Sequence, residues 1–276
     1  MFDRLLQIYA RAPEHPAKLR VFALLYRMLK GRERIEVTVG DNLRMKLSPN
    51  DHIERCILFN NWHEPLTSRF IRQNLRAGDT ALIAGAHIGY HVLHASHATG
   101  TTGRVLGCEP EPANLVRAWE HVRMNRATNH VTLLAHALGQ APSYIAMEEP
   151  PEISTGTAAL MPGNTASPYR ASVERIDAVL ERLGWDRLDF VLLDVEGFER
   201  PALAGLGRHR PRLLVLESDP RHHERMGTPQ VEFFAFVRSL GYELHSLGGS
   251  VVADPGFQPE TNLVAVRRGE PPPRWP

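Results

Sequence analysis

The spacing of apolar positions changes along this chain, and the changes divide it into regions. Residues 16–30 place Leu19, Phe22, Ala23, Tyr26 and Leu29 on one stripe at helical spacing, opposite Lys18, Arg20, Arg27 and Lys30. Such a face packs on the rest of the molecule or on a second copy; a peripheral membrane helix is the other reading of its basic side. Ile35–Val39 and Leu43–Leu47 then alternate apolar with polar residues around Gly40-Asp41-Asn42, which reads as a hairpin. A helix is predicted over 66–76, closing at Ala77-Gly78-Asp79.

From residue 80 onward short apolar runs alternate with helical stretches. Strands are predicted at 80–84, 104–109, 130–135, 189–194 and 212–216, and helices at 88–98, 112–125, 174–183 and 199–206. Strands separated by helices imply parallel crossovers. After a helix at 229–240, Tyr242–Leu247 and Asn262–Arg268 follow each other across a Gly/Pro-rich loop with no helix between, the pattern of an antiparallel pair at a sheet edge. The stretch 141–171 interrupts the alternation with five prolines and short candidate strands near 143–147 and 157–161, and is expected to be an insertion beside the ligand. The reading is therefore an extension over 1–76, a ligand-binding domain over 77–270, and a proline-rich, disordered tail over 271–276.

Composition narrows the function. The 276 residues are 43% hydrophobic and 23% charged, with 32 basic against 31 acidic side chains and a net charge of +1. That balance gives no case for nucleic-acid binding or electrostatic membrane attachment. No apolar run approaches the roughly 20 residues of a membrane span, and Met1-Phe2-Asp3-Arg4 lacks the features of a secretion signal. With only Cys56 and Cys108 there is no disulfide framework, so a cytoplasmic protein is expected. The apolar stripe and the late strand pair leave room for a homodimer.

The chemistry gathers where apolar runs stop. Ala81-Leu82-Ile83-Ala84 ends in Gly85-Ala86-His87-Ile88-Gly89, and Val105-Leu106-Gly107-Cys108 ends in Glu109-Pro110. A strand, a glycine turn, a helix, a second strand and then a carboxylate suited to two ribose hydroxyls are the parts of a nucleoside-binding α/β domain. Ligands in such sheets bind beyond the carboxyl ends of the strands, and Gly85, Glu109, His136, Asp194 and Glu217 all fall there. After Gly85 the next glycine is Gly89, which breaks the Gly-x-Gly-x-x-Gly spacing that cradles a pyrophosphate. A nucleoside without phosphates is favoured, and S-adenosylmethionine is the expected cofactor.

Residues from about 50 to 217 resemble the FkbM family of S-adenosylmethionine-dependent methyltransferases. The resemblance is carried by Trp62-His63-Glu64-Pro65, Gly78-Asp79-Thr80, Gly85-Ala86-His87-Ile88-Gly89-Tyr90, Glu109-Pro110-Glu111-Pro112, Ala137-Leu138-Gly139, Asp194-Val195-Glu196-Gly197-Phe198-Glu199 and Leu216-Glu217, in that order. It implies a Rossmann-like α/β fold with a mostly parallel seven-stranded sheet and an antiparallel edge strand. It also implies O-methylation of a small molecule, a sugar or a natural-product intermediate, with a peptide acceptor still open. The implied cofactor residues are Glu64, Gly85, Ala86, His87, Gly89, Glu109, Pro110, His136, Ala137 and Asp194; the catalytic candidates are Asp194, Glu217 and His222.

Three positions depart from the family pattern. Ile83 stands where the first motif carries Asp, His87 where it carries Asn, and Leu192 where a lysine is common. The missing Asp helps to hold the cofactor's methionine end, a duty that Glu64 could assume. Asp194 and Glu217 end neighbouring strands, so one of the pair gains basicity for a hydroxyl proton; the alternative is that they ligate Mg²⁺. His222-His223 is placed in a loop on the same rim. His87, His91, His94 and His97 recur along one helix, where structural roles are expected beyond His87, and no resident metal is expected. Two other classes stay open: a degenerate fold serving as a scaffold, motivated by Ile83 and Leu192, and a nicotinamide-dependent oxidoreductase, which the glycine spacing disfavours.

Overall fold

A computed structural model describes residues 18–29, 31, 33–147, 160–161, 169–252 and 261–276. Its centre is a seven-stranded sheet ordered β12-β13-β11-β10-β3-β4-β5, built from β3 (Thr80–Ala84), β4 (Arg104–Cys108), β5 (Val131–Leu134), β10 (Phe190–Leu193), β11 (Leu213–Ser218), β12 (Tyr242–Ser246) and β13 (Thr261–Arg267). The first five run parallel, whereas β13 is antiparallel to both β11 and β12. Strands buried on both faces need apolar residues at successive positions. Phe190-Val191-Leu192-Leu193 and Leu213-Leu214-Val215-Leu216 meet that need, with no residue above 4% exposed.

Alternate residues of each strand feed opposite cores. Ala81, Ile83, Phe190, Leu192, Leu213 and Val215 join one core; Leu82, Ala84, Val191, Leu193, Leu214 and Leu216 join the other. The first is covered by α4 (Tyr90–Thr99) and α5 (Pro112–Met124), the second by α6 (Ile176–Arg182), α7 (Glu199–Ala204) and α9 (Gln230–Ser239). The chain runs from β3 outward to β4 and β5, then returns to β10 on the other side of β3. The carboxyl ends of β3 and β10 therefore form the switch point at which such sheets bind ligands.

The extension lies against the first core. It comprises α1 (Lys18–Leu29), the hairpin β1 (Ile35–Val39) and β2 (Leu43–Leu47), α2 (His52–Asn60) and α3 (Pro65–Asn74). In α1 Leu29 is fully buried and Tyr26 packs partly against the core; residues 16, 17 and 30 lie outside the described residues. The ring of buried His121 on α5 pins the hairpin: its Nδ1 lies 2.7 Å from the Ile88 carbonyl oxygen, and its Nε2 is 3.0 Å from the Lys46 amide.

Helix α2 was not predicted; its nine residues are short for a periodic signal, yet Asp51 caps its start by accepting from the Glu54 amide at 2.9 Å. Around 141–171 the chain forms a small sheet ordered β6-β9-β7-β8, from β6 (Ala137–Leu138), β7 (Ser143–Met147), β8 (Leu160–Met161) and β9 (Arg170–Glu174). The predicted strand at 143–147 is β7, and 157–159 lie outside the described residues. Residues 271–276, expected to be disordered, are instead fixed. Asn74 donates through Nδ2 to the Arg274 carbonyl and accepts the Arg274 amide, both at 2.8 Å. The ring centroids of Trp275 and Phe70 lie 5.9 Å apart. One bulky ring beyond the proline run, Trp275, supplies the anchor.

Candidate active site at the sheet switch point

Gly85 follows β3 with φ +76°, and a Cβ there would collide with the backbone carbonyl oxygen of Asp194 after β10. Only glycine lets the two loops cross so closely. The Gly85 and Ala86 amides both donate to the Cys108 carbonyl at 3.0 Å, which folds the turn over the end of β4. Beyond it a cavity of about 220 Å³ opens between the ends of β3, β4, β5, β10 and β11.

Its wall includes Glu64, Gly85, Ala86, His87, Glu109, Pro110, His136, Ala137, Asp194 and Glu217, so ten of the twelve sequence-derived residues meet around one space. The other two lie elsewhere. Gly89 starts α4 with φ +87°, where a side chain would press on Ala118, so it shapes the helix start rather than the wall. His222 sits behind the wall on α8 (Pro220–Arg225), a short helix where a loop was expected; Asp219 caps that helix, accepting from the Arg221 amide at 2.8 Å.

The Glu109 carboxylate, 6% exposed, is oriented by the backbone. Oε2 accepts the His87 amide at 2.7 Å and Oε1 accepts the Glu111 amide at 2.9 Å. Burial raises its pKa to about 7 against these two bonds. The Asn114 side chain adds a third bond to this carboxylate, which still has acceptor capacity to offer a ribose. His87 stands in the left-handed region at φ +46°, which Asn and His tolerate better than most residues. Burial lowers its imidazole to about 4, so the ring is neutral.

Across the cavity lie the acids. Asp194 is raised well above the usual carboxylate range, first by burial and then by the neighbouring charges of Glu217, Glu64, Glu196 and Glu199. Glu64 precedes the first residue of α3 at φ +43°, its carboxylate turned away from the helix end; it accepts Asn262 Nδ2 at 2.8 Å and approaches His91 Nε2 at 3.3 Å. Burial opposes its ionisation, but His91, His63 and Thr67 overcome that and hold it at about 2. His91, expected to be structural, thus lines the cavity, because the first turn of α4 abuts the start of α3. His94 stacks on Trp62 at 5.7 Å and His97 is exposed.

His222 bridges the acids: Nε2 lies 2.9 Å from Glu196 Oε2 and Nδ1 3.3 Å from Glu217 Oε1. These bonds raise it to about 10, so it is an imidazolium that holds a proton rather than takes one. Sequence reasoning gave Glu196 no separate role and missed Glu199. The buried Glu199 carboxyl accepts the Val195 and Gly197 amides at 3.2 Å and thereby holds the 194–197 turn. Glu196 is also left-handed, at φ +55°; three strained non-glycine residues, Glu64, His87 and Glu196, therefore face one cavity. A carboxylate spaced as Glu196 is after an apolar strand was the available signal.

The residues fit S-adenosylmethionine. Glu109 suits its ribose hydroxyls and Glu64 its ammonium. Buried ring nitrogens of the wall residues His87, His91 and His136 lack a hydrogen-bond partner in the protein, as a polar ligand would require. Ile83, the departure from the first motif, joins the core with Phe190 and Leu192 instead of lining the cavity.

Comparison with known proteins agrees with this geometry. The family model for the methyltransferase FkbM domain matches residues 84–244, from the end of β3 into β12. The chain is similar to an O-methyltransferase from Bacillus cereus in complex with SAH, at 12% identity and TM-score 0.45, over 97% of this chain and 100% of that one. A SAM-dependent O-methyltransferase from Thermotoga maritima shares 10% identity at TM-score 0.46, over 90% and 83% of the two chains. Fibrillarin from Aeropyrum pernix with natively bound S-adenosyl-L-methionine shares 14% at TM-score 0.43, over 73% and 74%. No curated protein matches. A match covering more than half of the chain, and containing the glycine turn, Glu109, Asp194 and Glu217, means that this chain belongs to the FkbM methyltransferase family and is an S-adenosylmethionine-dependent methyltransferase.

Proposed function

We propose that this methyltransferase alkylates a hydroxyl group of a small molecule, a sugar or a natural-product intermediate. The observation that carries the reading is the Asp194 carboxyl: it ends β10 on the wall of the cavity that Glu109 also lines, and its charged neighbours are carboxylates. Burial and like charge make it a stronger base than an exposed aspartate.

S-adenosylmethionine, when bound, supplies an electrophilic methyl group on a sulfonium. The chain does the rest. Glu109 grips the ribose and the glycine turn at 85–89 accommodates the nucleoside. Glu64 receives the ammonium in place of the acid absent at Ile83. Asp194 accepts the hydroxyl proton as the acceptor oxygen is alkylated. Glu217 and the His222 imidazolium keep the surrounding charges in register. Positioning and exclusion of water supply most of the acceleration, with base catalysis adding to it. The two free cysteines support a reducing cytoplasm, and among the described residues no helix is long and apolar enough to cross a membrane.

The test is transfer of labelled methyl to a panel of hydroxylated acceptors. Asp194→Asn should lower transfer about 10²- to 10⁴-fold while affinity for S-adenosylhomocysteine, read by calorimetry, stays within about threefold. A variant that retained full transfer would dismiss Asp194 as the base. Glu64→Gln should weaken S-adenosylhomocysteine about tenfold, the loss of one charge-assisted bond; unchanged affinity would dispose of its role.

A further inference from the structure

The near-neutral charge of the whole chain conceals a division. Ahead of β1, residues 1–34 hold eight basic and three acidic side chains, whereas residues 35–276 hold 24 basic and 28 acidic. One end of the chain is therefore cationic and joined to a weakly anionic body. Helix α1 belongs to that cationic end, and none of its residues lines the cavity.

The two sides of α1 differ in what covers them. Leu25, Tyr26 and Leu29 turn toward the core. Arg20, Leu24, Arg27 and Met28 fall within an arc of about 100° on the opposite side, and all four are exposed. Leu24 is 60% and Met28 53% exposed, so two large apolar side chains stand in water on a helix whose inner face is already packed. Among the described residues neither Arg20 nor Arg27 has an ion-pair partner, whereas Arg34 is committed to Glu120 at 2.5 Å. Residues 1–17 lie outside the described residues, yet their sequence carries the same mixture, with Phe2, Leu5, Leu6 and Tyr9 beside Arg4 and Arg11.

We propose that the outer face of α1 docks this methyltransferase on an anionic membrane surface. Guanidinium groups flanking leucine and methionine on one exposed arc suit a lipid headgroup layer: the apolar pair enters the acyl boundary and the arginines meet the phosphates. A second copy fits poorly, because two-fold pairing through this face sets Arg20 and Arg27 of one copy against those of the other. Helix α2 joins the docking helix to the reaction site: its Arg55 guanidinium lies 4.8 Å over the Tyr26 ring, and its Ile53 lines the cavity. The proposal is independent of which acceptor atom is methylated.

The experiment is co-sedimentation of the whole chain with vesicles of phosphatidylcholine, alone or with about one-third phosphatidylglycerol, at low and at high salt. The mixed vesicles are expected to bind at least about tenfold more tightly than phosphatidylcholine alone, with most of that binding lost at high salt. Arg20→Gln together with Arg27→Gln should weaken it about 25-fold, and Leu24→Ser together with Met28→Ser about tenfold. Affinity for S-adenosylhomocysteine and the thermal midpoint should stay unchanged in both double variants, because all four side chains are exposed. No binding to the mixed vesicles, equal binding to the two vesicle types, or insensitivity to either pair of substitutions would each overturn the proposal. Dimerisation of the lipid-free chain that Leu24→Ser with Met28→Ser abolishes, read by sedimentation velocity, would assign the face to a second copy and overturn it as well.

Discussion

At the β3–β4 end of the cavity the wall is shaped through the backbone, whereas at the β10–β11 end carboxylates are held largely by other side chains. The Gly85 and Ala86 amides close on the Cys108 carbonyl, and the amides of His87 and Glu111 orient Glu109. Opposite them, Glu196 and Glu217 face His222, and Glu64 faces His91 and Asn262. Backbone-built walls tolerate little change in the residues that make them, because the donors are fixed by the fold. Side-chain walls can be retuned one residue at a time. The comparison implies that the β3–β4 end resists substitution and that the β10–β11 end is the easier one to retune.

The largest expected effect tests the rigid end. Gly85→Ala places a methyl group on the Asp194 carbonyl and demands a left-handed alanine. S-adenosylhomocysteine binding should disappear and the thermal midpoint should fall; a variant that binds normally would show that the two loops separate easily. The next effect is smaller. Glu109→Gln keeps the shape but loses the charge, and should weaken S-adenosylhomocysteine about ten- to a hundredfold by calorimetry. Because Glu109 is raised to about 7, affinity should also decline as pH falls below that value in the wild type but not in the variant.

The smallest effect probes the retunable end. His222 rises from the ordinary imidazole value of 6.5 to about 10 on folding, so its stabilising contribution is complete below pH 6.5 and is lost as pH climbs toward 10. The difference in thermal midpoint between wild type and His222→Gln should shrink across that window. Glu199, raised to about 8, titrates there too, but in both proteins. A constant difference would mean that the Glu196–His222–Glu217 bridge does not depend on the proton.

This division also explains what could be read from the sequence. Apolar runs such as Phe190-Val191-Leu192-Leu193 announce a buried parallel strand, and glycines or acids at their ends mark the rim. Parallel crossovers follow from the alternation of strand and helix. Contacts between side chains far apart in sequence carry no such period. His91 was assigned to the structure of its helix because helical spacing leads away from the glycine turn, yet the packing of α3 on α4 brings it to Glu64. His222 was taken as a candidate base on its position in the chain, whereas its two acidic neighbours, one of them on the preceding strand, make it a cation. Helix α8 was read as a loop because its six residues depend on one cap, Asp219, rather than on periodicity.

One feature far from the cavity bears on it mechanically. Helix α3 spans about 15 Å at the ordinary rise per residue. It carries Glu64 at its start and Asn74, gripping the backbone of Arg274, at its end. The final residues thus act as a tether on the far end of a lever whose near end holds an acid of the reaction chamber. Clipping the chain ahead of Arg274 would bare the Phe70 ring and free that lever to tilt, so damage at the terminus would register as slack in the grip on the methyl donor.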